Sequence, residues 1–272
     1  MKPLRNVAKE RLAAGQIAFG IGVRYSRTPE IARIAATLGL HYMFIDMEHS
    51  PLDLETVAQI CAAGIEADVM PNVRVPANDP VFISRVLDVG ALGVVVPHVD
   101  TADEARAAVA AAKYHPIGAR SGMGAMVHFG YAPLSQREMI AQMNAAVLVS
   151  VMIETPTAVD NIEAIAAVDG VDVISVGGND LTIALGIADE HEHPMLDGIY
   201  RRVAAAAKRH GKFVRFGGSY DPALIRRHVA LGCQMVQVGH DLSLLMQGAR
   251  QQIAKLGELP VPGSEVGWGS QS

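Results

Sequence analysis

Residues 147–181 read VLVSVMIETPTAVDNIEAIAAVDGVDVISVGGNDL, and the fold turns on this stretch. The first eight residues are apolar almost throughout, the pattern of a strand buried on both faces. Thr155-Pro156 then sets a cap residue before a proline at the first helical position, where the missing N–H costs nothing. A second apolar run, VISVG at 173–177, leads into Gly178-Asn179-Asp180. Strand, helix and strand in this order are the unit from which parallel sheets are built.

The same unit repeats on both sides of it. Strand candidates are IAFGIGV (17–23), YMFIDME (42–48), MPNVRVP (70–76), GVVVPHV (93–99), VLVSVMIE (147–154), VISVG (173–177), KFVRFGG (212–218) and MVQVGHD (235–241). Helix ends lie between them. One helix opens at Thr28-Pro29-Glu30 and stops at Gly39; another runs from Asp53 with Leu54, Val57, Ile60 and Cys61 at helical spacing. Thr101 to Glu104 is a capping-box pattern, and Asp221-Pro222 opens a helix that Gly232 closes.

Eight strands, each followed by a helix, predict an α/β fold: a single (β/α)₈ TIM barrel over residues 1–272, preceded by a short helix that Gly15 stops. An open doubly wound sheet also satisfies the alternation, but no Gly-rich dinucleotide turn follows the first strand. Two stretches break the rhythm. Residues 115–146 form a long insertion between strands four and five with a helical piece near 135–146, and residues 187–195 form a polar loop with His191 and His193. The tail VPGSEVGWGSQS reads as an extended end, and no linker, repeat or second domain interrupts the chain.

The chain carries 23 basic and 28 acidic residues, a net charge of −5, with no basic stripe. Nucleic acid is therefore not an expected partner. No apolar run reaches the roughly 18 residues of a membrane span. Cys61 and Cys233 lack metal-ligand spacing and read as core residues. That usage, with a charged start lacking a cleavage pattern, points to the cytoplasm.

Chemistry in such a barrel is expected at the carboxyl ends of the strands. Strand two ends in Asp46-Met-Glu-His49, strand three in Arg74, strand four near His98 and Asp100, and strand five in Glu154. Asp180 follows strand six and Asp241 follows strand eight. Glu154 and Asp180 come from neighbouring strands, so their carboxylates can converge on one hard divalent ion; each can also merely cap a helix. His49 is the natural general base, and Arg74 can neutralise a carboxylate or an enolate. His98, Asp100 and Asp241 read equally as pocket wall or structural groups, and His191 and His193 as surface. No lysine falls at a carboxyl strand end, so a Schiff base is disfavoured.

As a set, Ile45-Asp-Met-Glu-His49, Val73-Arg-Val-Pro76, Leu87-Asp-Val-Gly90 with Val96-Pro97, Ile153-Glu-Thr155 and Gly177-Gly-Asn-Asp-Leu181 resemble the HpcH/HpaI aldolase family of metal-dependent pyruvate aldolases over residues 5–255. The resemblance implies that Glu154 and Asp180 bind Mg²⁺, Mn²⁺ or Co²⁺, on which a 2-oxo acid chelates before meeting an aldehyde. It implies that His49, with Asp46 nearby, moves a proton through a water, and that Arg74 steadies the enolate. Asp88 matches an acid that reaches a neighbouring subunit's histidine, so a homo-oligomer is expected. Backbone amides at Gly178 and Asn179 would hold the substrate carboxylate.

Three departures stand out. Gly177-Gly178 replaces the family's Gly-Pro, and Met152 replaces its Gln two positions before the metal glutamate. Tyr114-His-Pro-Ile-Gly-Ala-Arg120-Ser121 alters the stretch after strand four. Met152 should face the barrel interior just beneath Glu154, because side chains alternate along a strand. Decarboxylation of a 2-oxo diacid, and binding of a 2-oxo acid without turnover, are the alternatives to an aldol reaction.

Overall fold

The computed structural model describes residues 3–257, and within them eight parallel strands close into one barrel in chain order. They are β1 (Ala18–Val23), β2 (Tyr42–Asp46), β3 (Met70–Arg74), β4 (Gly93–Val96), β5 (Leu148–Ile153), β6 (Val173–Val176), β7 (Phe213–Phe216) and β8 (Met235–His240). Each lies inside the apolar run that marks it. Pairing of β1 with β8 closes the sheet and overturns the open doubly wound alternative. The tail 261–272 lies outside the described residues.

The helices are α1 (Val7–Ala13), α2 (Glu30–Thr37), α3 (Leu54–Glu66), α4 (Pro80–Asp88), α5 (Ala102–Ala112), α6 (Gln136–Ala146), α7 (Pro156–Asp160), α8 (Ile162–Ala166), α9 (Gly178–Ala184), α10 (Pro194–Arg209), α11 (Pro222–Ala230) and α12 (Asp241–Leu256). Four of the marked caps form, whereas α2 opens on Pro29 with no side-chain cap. Asp53 accepts the Thr56 amide, Thr101 and Glu104 form a full capping box, and Thr155 and Asp221 each cap ahead of a proline. Within the 115–146 insertion, Met126, Met139 and Met143 are buried against the outer core.

Two apolar layers hold the barrel together. One lies between strands and helices; the other fills the interior with Ala18, Tyr42, Phe44, Met70, Leu148, Val173 and Met235. Helix α1 seals the amino end: Ala8 and Leu12 join the interior layer, and Asn6 Nδ2 donates to the carbonyls of Leu92 (3.1 Å) and Ala146 (2.8 Å). One pole of the barrel is thus closed and apolar, which leaves the carboxyl pole for polar groups.

Helix α12 behaves differently from the others. None of its 16 residues is buried, and Leu245, Met246, Ile253 and Leu256 are exposed. Phe19 on β1 and Val238 on β8 are also exposed, although neighbouring helices normally cover every outward strand face of such a barrel. No described helix is long and apolar enough to cross a membrane.

Candidate active site

The wall made by β2 and β3 is an ion cluster. Register pairs Asp46 with Arg74 at the carboxyl end, and the guanidinium grips the carboxylate with two bonds, Nε to Oδ1 at 3.0 Å and Nη2 to Oδ2 at 2.7 Å. Arg24 Nε adds a third at 2.8 Å. Burial pushes the Asp46 carboxyl upward, but the bonds and charge of Arg74, with the His49 amide, outweigh it and hold the group below its usual range. Arg74 Nη1 also lies 2.8 Å from Glu48 Oε2, close enough for charge attraction though not at a hydrogen-bonding angle. Asp241 serves this wall indirectly. Its carboxylate accepts the amides of Arg24, Tyr25 and Ser26, fixing the loop that aims Arg24.

Glu154, just past β5, is buried; its Oε1 accepts the His98 amide at 2.6 Å and lies 3.0 Å from His98 Nδ1. The other ring nitrogen of His98 stands 3.1 Å from Glu48 Oε1. Burial pushes the Glu154 carboxyl upward, and the nearby charges of Asp180 and Glu48 push the same way, against the pull of His98. Asp180 sits in the first turn of α9 but does not cap it, and its carboxylate accepts no hydrogen bond among the described residues. A Cβ at Gly177 would lie 2.6 Å from Glu154 Oε2, so the glycine keeps that oxygen's flank open.

Two mutually repelling carboxylates, one without a partner and one with an open flank, fit a hard divalent cation. Among the described residues no group of three or more His, Cys, Asp or Glu could hold such an ion alone. The pair would therefore leave most coordination positions to water and substrate.

The other marked residues divide. His49 stands at the rim, half exposed, with its ring 3.8 Å from Glu48 Oε2; Asp46 holds its amide rather than its imidazole. Met152 is buried and lines a cleft with Gly178, Asn179 and Asp180. Asp88 is not at the mouth. It ends α4, a helix that runs back toward the amino pole, and pairs with Arg120 at 2.6 Å. Asp100 accepts the Thr155 hydroxyl at 2.5 Å, and His193 caps α10, so both are structural. Among the described residues no lysine lines the cleft; Lys212 bonds the Val168 carbonyl at the start of β7.

Sequence reasoning missed two interior residues. Arg215 projects inward from β7 and Gln237 from β8, both nearly buried. Arg215 Nη1 donates to Ser175 Oγ at 3.0 Å and Nη2 to Gln237 Oε1 at 2.8 Å, and the guanidinium lies over the Phe44 ring at 4.4 Å. A signal was present: each is a polar residue in the middle of an otherwise apolar strand. Together with Arg24, Arg74, Met152 and Asp180 they line one cleft of about 110 Å³, the size for a compact acid.

Comparison with known proteins identifies the family. The model of the HpcH/HpaI aldolase/citrate lyase family matches residues 25–248. The hydroxypyruvate/pyruvate aldolase of Cupriavidus necator is 35% identical, covering 95% of each chain. A 4-hydroxy-4-methyl-2-oxoglutarate aldolase of Chaetomium globosum is 38% identical over 78% of this chain and 79% of its own. The crystal structure of an HpcH/HpaI aldolase from Desulfitobacterium hafniense superposes with a TM-score of 0.88 at 32% identity, covering 93% of this chain and 97% of that one. This chain belongs to the HpcH/HpaI aldolase/citrate lyase family and is a carbon–carbon lyase.

Proposed function

We propose that this lyase is a divalent-metal-dependent aldolase that cleaves or forms the carbon–carbon bond of a 4-hydroxy-2-oxo acid, with a pyruvate-type enolate as the donor. The reading rests on Glu154 and Asp180, which follow neighbouring strands and whose charges repel, with Asp180 on a cleft that no lysine lines among the described residues. These two residues would hold Mg²⁺, Mn²⁺ or Co²⁺. The ion would act as a Lewis acid on the 2-oxo group and lower the cost of enolate charge.

The remaining roles follow from position. Arg74, locked by Asp46, offers a fixed positive charge to the developing enolate, and a donor that need not reorganise is worth most at that moment. His49 at the rim moves the proton, through a water that bridges its exposed ring to the substrate. The amides of Gly178 and Asn179 receive the substrate carboxylate, and Met152 forms the apolar floor. Two relatives whose names specify 2-oxo acids support this substrate class.

The enzyme works as a homo-oligomer in this reading. A second copy would cover the apolar face of α12 and the exposed Phe19 and Val238, and would bring its Asp88 toward a neighbour's His49. Light scattering at the 28.8 kDa of one chain would contradict it. Two buried free cysteines fit the reducing cytoplasm as its compartment.

A second reading, decarboxylation of a 2-oxo diacid on the same apparatus, is favoured by the extra cation Arg215. One assay separates the two. Purified enzyme with Mg²⁺ and a 4-hydroxy-2-oxo acid should release pyruvate and an aldehyde in equal amounts. Release of CO₂ from a 2-oxo diacid, with no aldehyde from the 4-hydroxy-2-oxo acid, identifies the decarboxylase, and no product from either substrate with any of the three ions removes both readings.

A further inference from the structure

Tyr220 ends a chain of hydrogen bonds that starts at Arg215. The guanidinium Nη2 donates to Gln237 Oε1 at 2.8 Å, and Gln237 Nε2 donates to Tyr220 Oη at 2.9 Å and to the Gly239 carbonyl at 3.3 Å. The amide cannot flip, because its oxygen has to face the guanidinium. A Cβ at Gly22 would lie 2.5 Å from Gln237 Nε2, so the glycine makes the room this amide needs. The phenol oxygen is thus an acceptor on its Gln237 side, and its own hydrogen meets no acceptor among the described residues.

Ring and oxygen are both held in place. Tyr220 meets the His240 ring edge-on at 5.6 Å, and His240 is itself fixed by the Ser243 amide on its Nδ1. Tyr220 lines the cleft with Arg24, Arg74, Met152 and Asp180, and the charges that act on its hydroxyl are those of Arg215, Arg24, Asp46 and Arg74. The residue as a whole is exposed. Burial around the hydroxyl nevertheless pushes it upward from the usual phenol range, more than the arginines pull it down, so it keeps its hydrogen at neutral pH. A hydroxyl polarised by a cation at the head of its chain is a stronger donor than one in water.

The proposed reaction leaves one charged atom without a protein partner. The ion would serve the 2-oxo oxygen, Arg74 the enolate, and the amides of Gly178 and Asn179 the carboxylate; the oxygen on C4 has none. We infer that Tyr220 is a further catalytic residue, whose hydroxyl donates a hydrogen bond to that C4 oxygen while Gln237 positions it. In the addition direction the electron pair of enolate C3 forms the C3–C4 bond, and the aldehyde π pair moves onto its oxygen. The resulting alkoxide takes the Tyr220 hydrogen bond, and then the proton that enolisation released. Cleavage runs the same steps in reverse. The inference rests on the aldolase reading and adds the aldehyde side of the reaction. One fixed donor to a developing oxyanion is worth roughly 10²- to 10³-fold in kcat.

The test compares two half-reactions of the full chain with the most active of Mg²⁺, Mn²⁺ and Co²⁺. One is methyl-proton exchange of pyruvate alone, which involves no C4 oxygen. The other is cleavage of 4-hydroxy-2-oxoglutarate or 4-hydroxy-2-oxopentanoate to pyruvate. Tyr220→Phe keeps the ring against His240, so exchange should stay close to the wild-type rate. Its kcat for cleavage should fall by roughly 10²- to 10³-fold with KM little changed. Gln237→Glu gives Arg215 a counter-charge and offers the phenol hydrogen an acceptor inside the protein. It should likewise retain exchange and lose cleavage. Wild-type kcat for cleavage in either variant, or a loss of exchange as large as the loss of cleavage, would overturn the inference and leave Tyr220 as part of the cleft wall. A wild type that cleaves neither acid, whatever its exchange rate, brings down the aldolase reading and the role of Tyr220 with it.

Discussion

Arg74 and Arg215 occupy opposite walls of one cleft, are buried to 5% and 6% exposure, and both lie over the same Phe44 ring. Their surroundings differ in one respect. On the β2–β3 wall the charge is matched before any ligand arrives, by Asp46 in a two-bond grip and by Glu48. On the β7–β8 wall only neutral groups meet it. A matched charge is a rigid tool, set at the position where negative charge develops during a reaction. An unmatched one is open to whatever anion the cleft admits. The Glu154 and Asp180 pair stands between the two walls and repeats the contrast with the sign reversed.

Breaking the carboxylate pair should have the largest effect. Glu154→Ala removes one of the two proposed ion ligands, and pyruvate methyl-proton exchange should fall by on the order of 10³-fold or more; NMR in D₂O reads it, and exchange at the wild-type rate would detach the pair from the chemistry. His49→Ala should slow the same exchange by roughly 10²- to 10⁴-fold, the usual contribution of a positioned base. His98→Ala is the informative partner, since His98 rather than His49 touches Glu154. A larger loss in His98→Ala would move the proton-transfer role to that ring.

The balanced wall can be unbalanced directly. Asp46→Ala leaves Arg74 buried without its main partner and should cost about 3–5 kcal/mol of stability, measured by urea unfolding. A loss under about 0.5 kcal/mol, the level of an ordinary surface change, would show that the cluster relaxes at little cost and that the two walls differ little in energy. Met152→Gln is the mildest change. It restores a donor on the cleft floor and should tighten pyruvate binding by roughly tenfold, whereas bulkier 2-oxo acids should favour the wild type. Identical constants for both acids would leave Met152 as filling only.

The barrel was legible in the sequence because strands buried on both faces must be apolar almost without interruption, and because caps such as Thr101 and Thr155 announce helix starts. The upper ring of the site was legible for a related reason: ionisable groups at strand ends, such as Asp46, Arg74 and Glu154, stand out against those runs. What escaped notice lies one layer lower. Arg215 and Gln237 sit inside strands rather than at their ends, and their meeting depends on the register between β7 and β8, which no short-range pattern records. The hold of Asp241 on the first loop, across 217 residues to Arg24, was invisible for the same reason. Asp88 shows the converse: a family motif marked it, but a single chain places it at the wrong pole for His49.

In the proposed reaction a divalent ion on Glu154 and Asp180 makes the donor acid exchange its methyl protons. The direct measurement follows deuterium incorporation into pyruvate by NMR, with wild-type enzyme stripped by EDTA and then supplied in turn with Mg²⁺, Mn²⁺ and Co²⁺. No exchange above the enzyme-free rate is expected after stripping, with recovery on adding at least one ion. Exchange that continues undiminished in the stripped enzyme would contradict it.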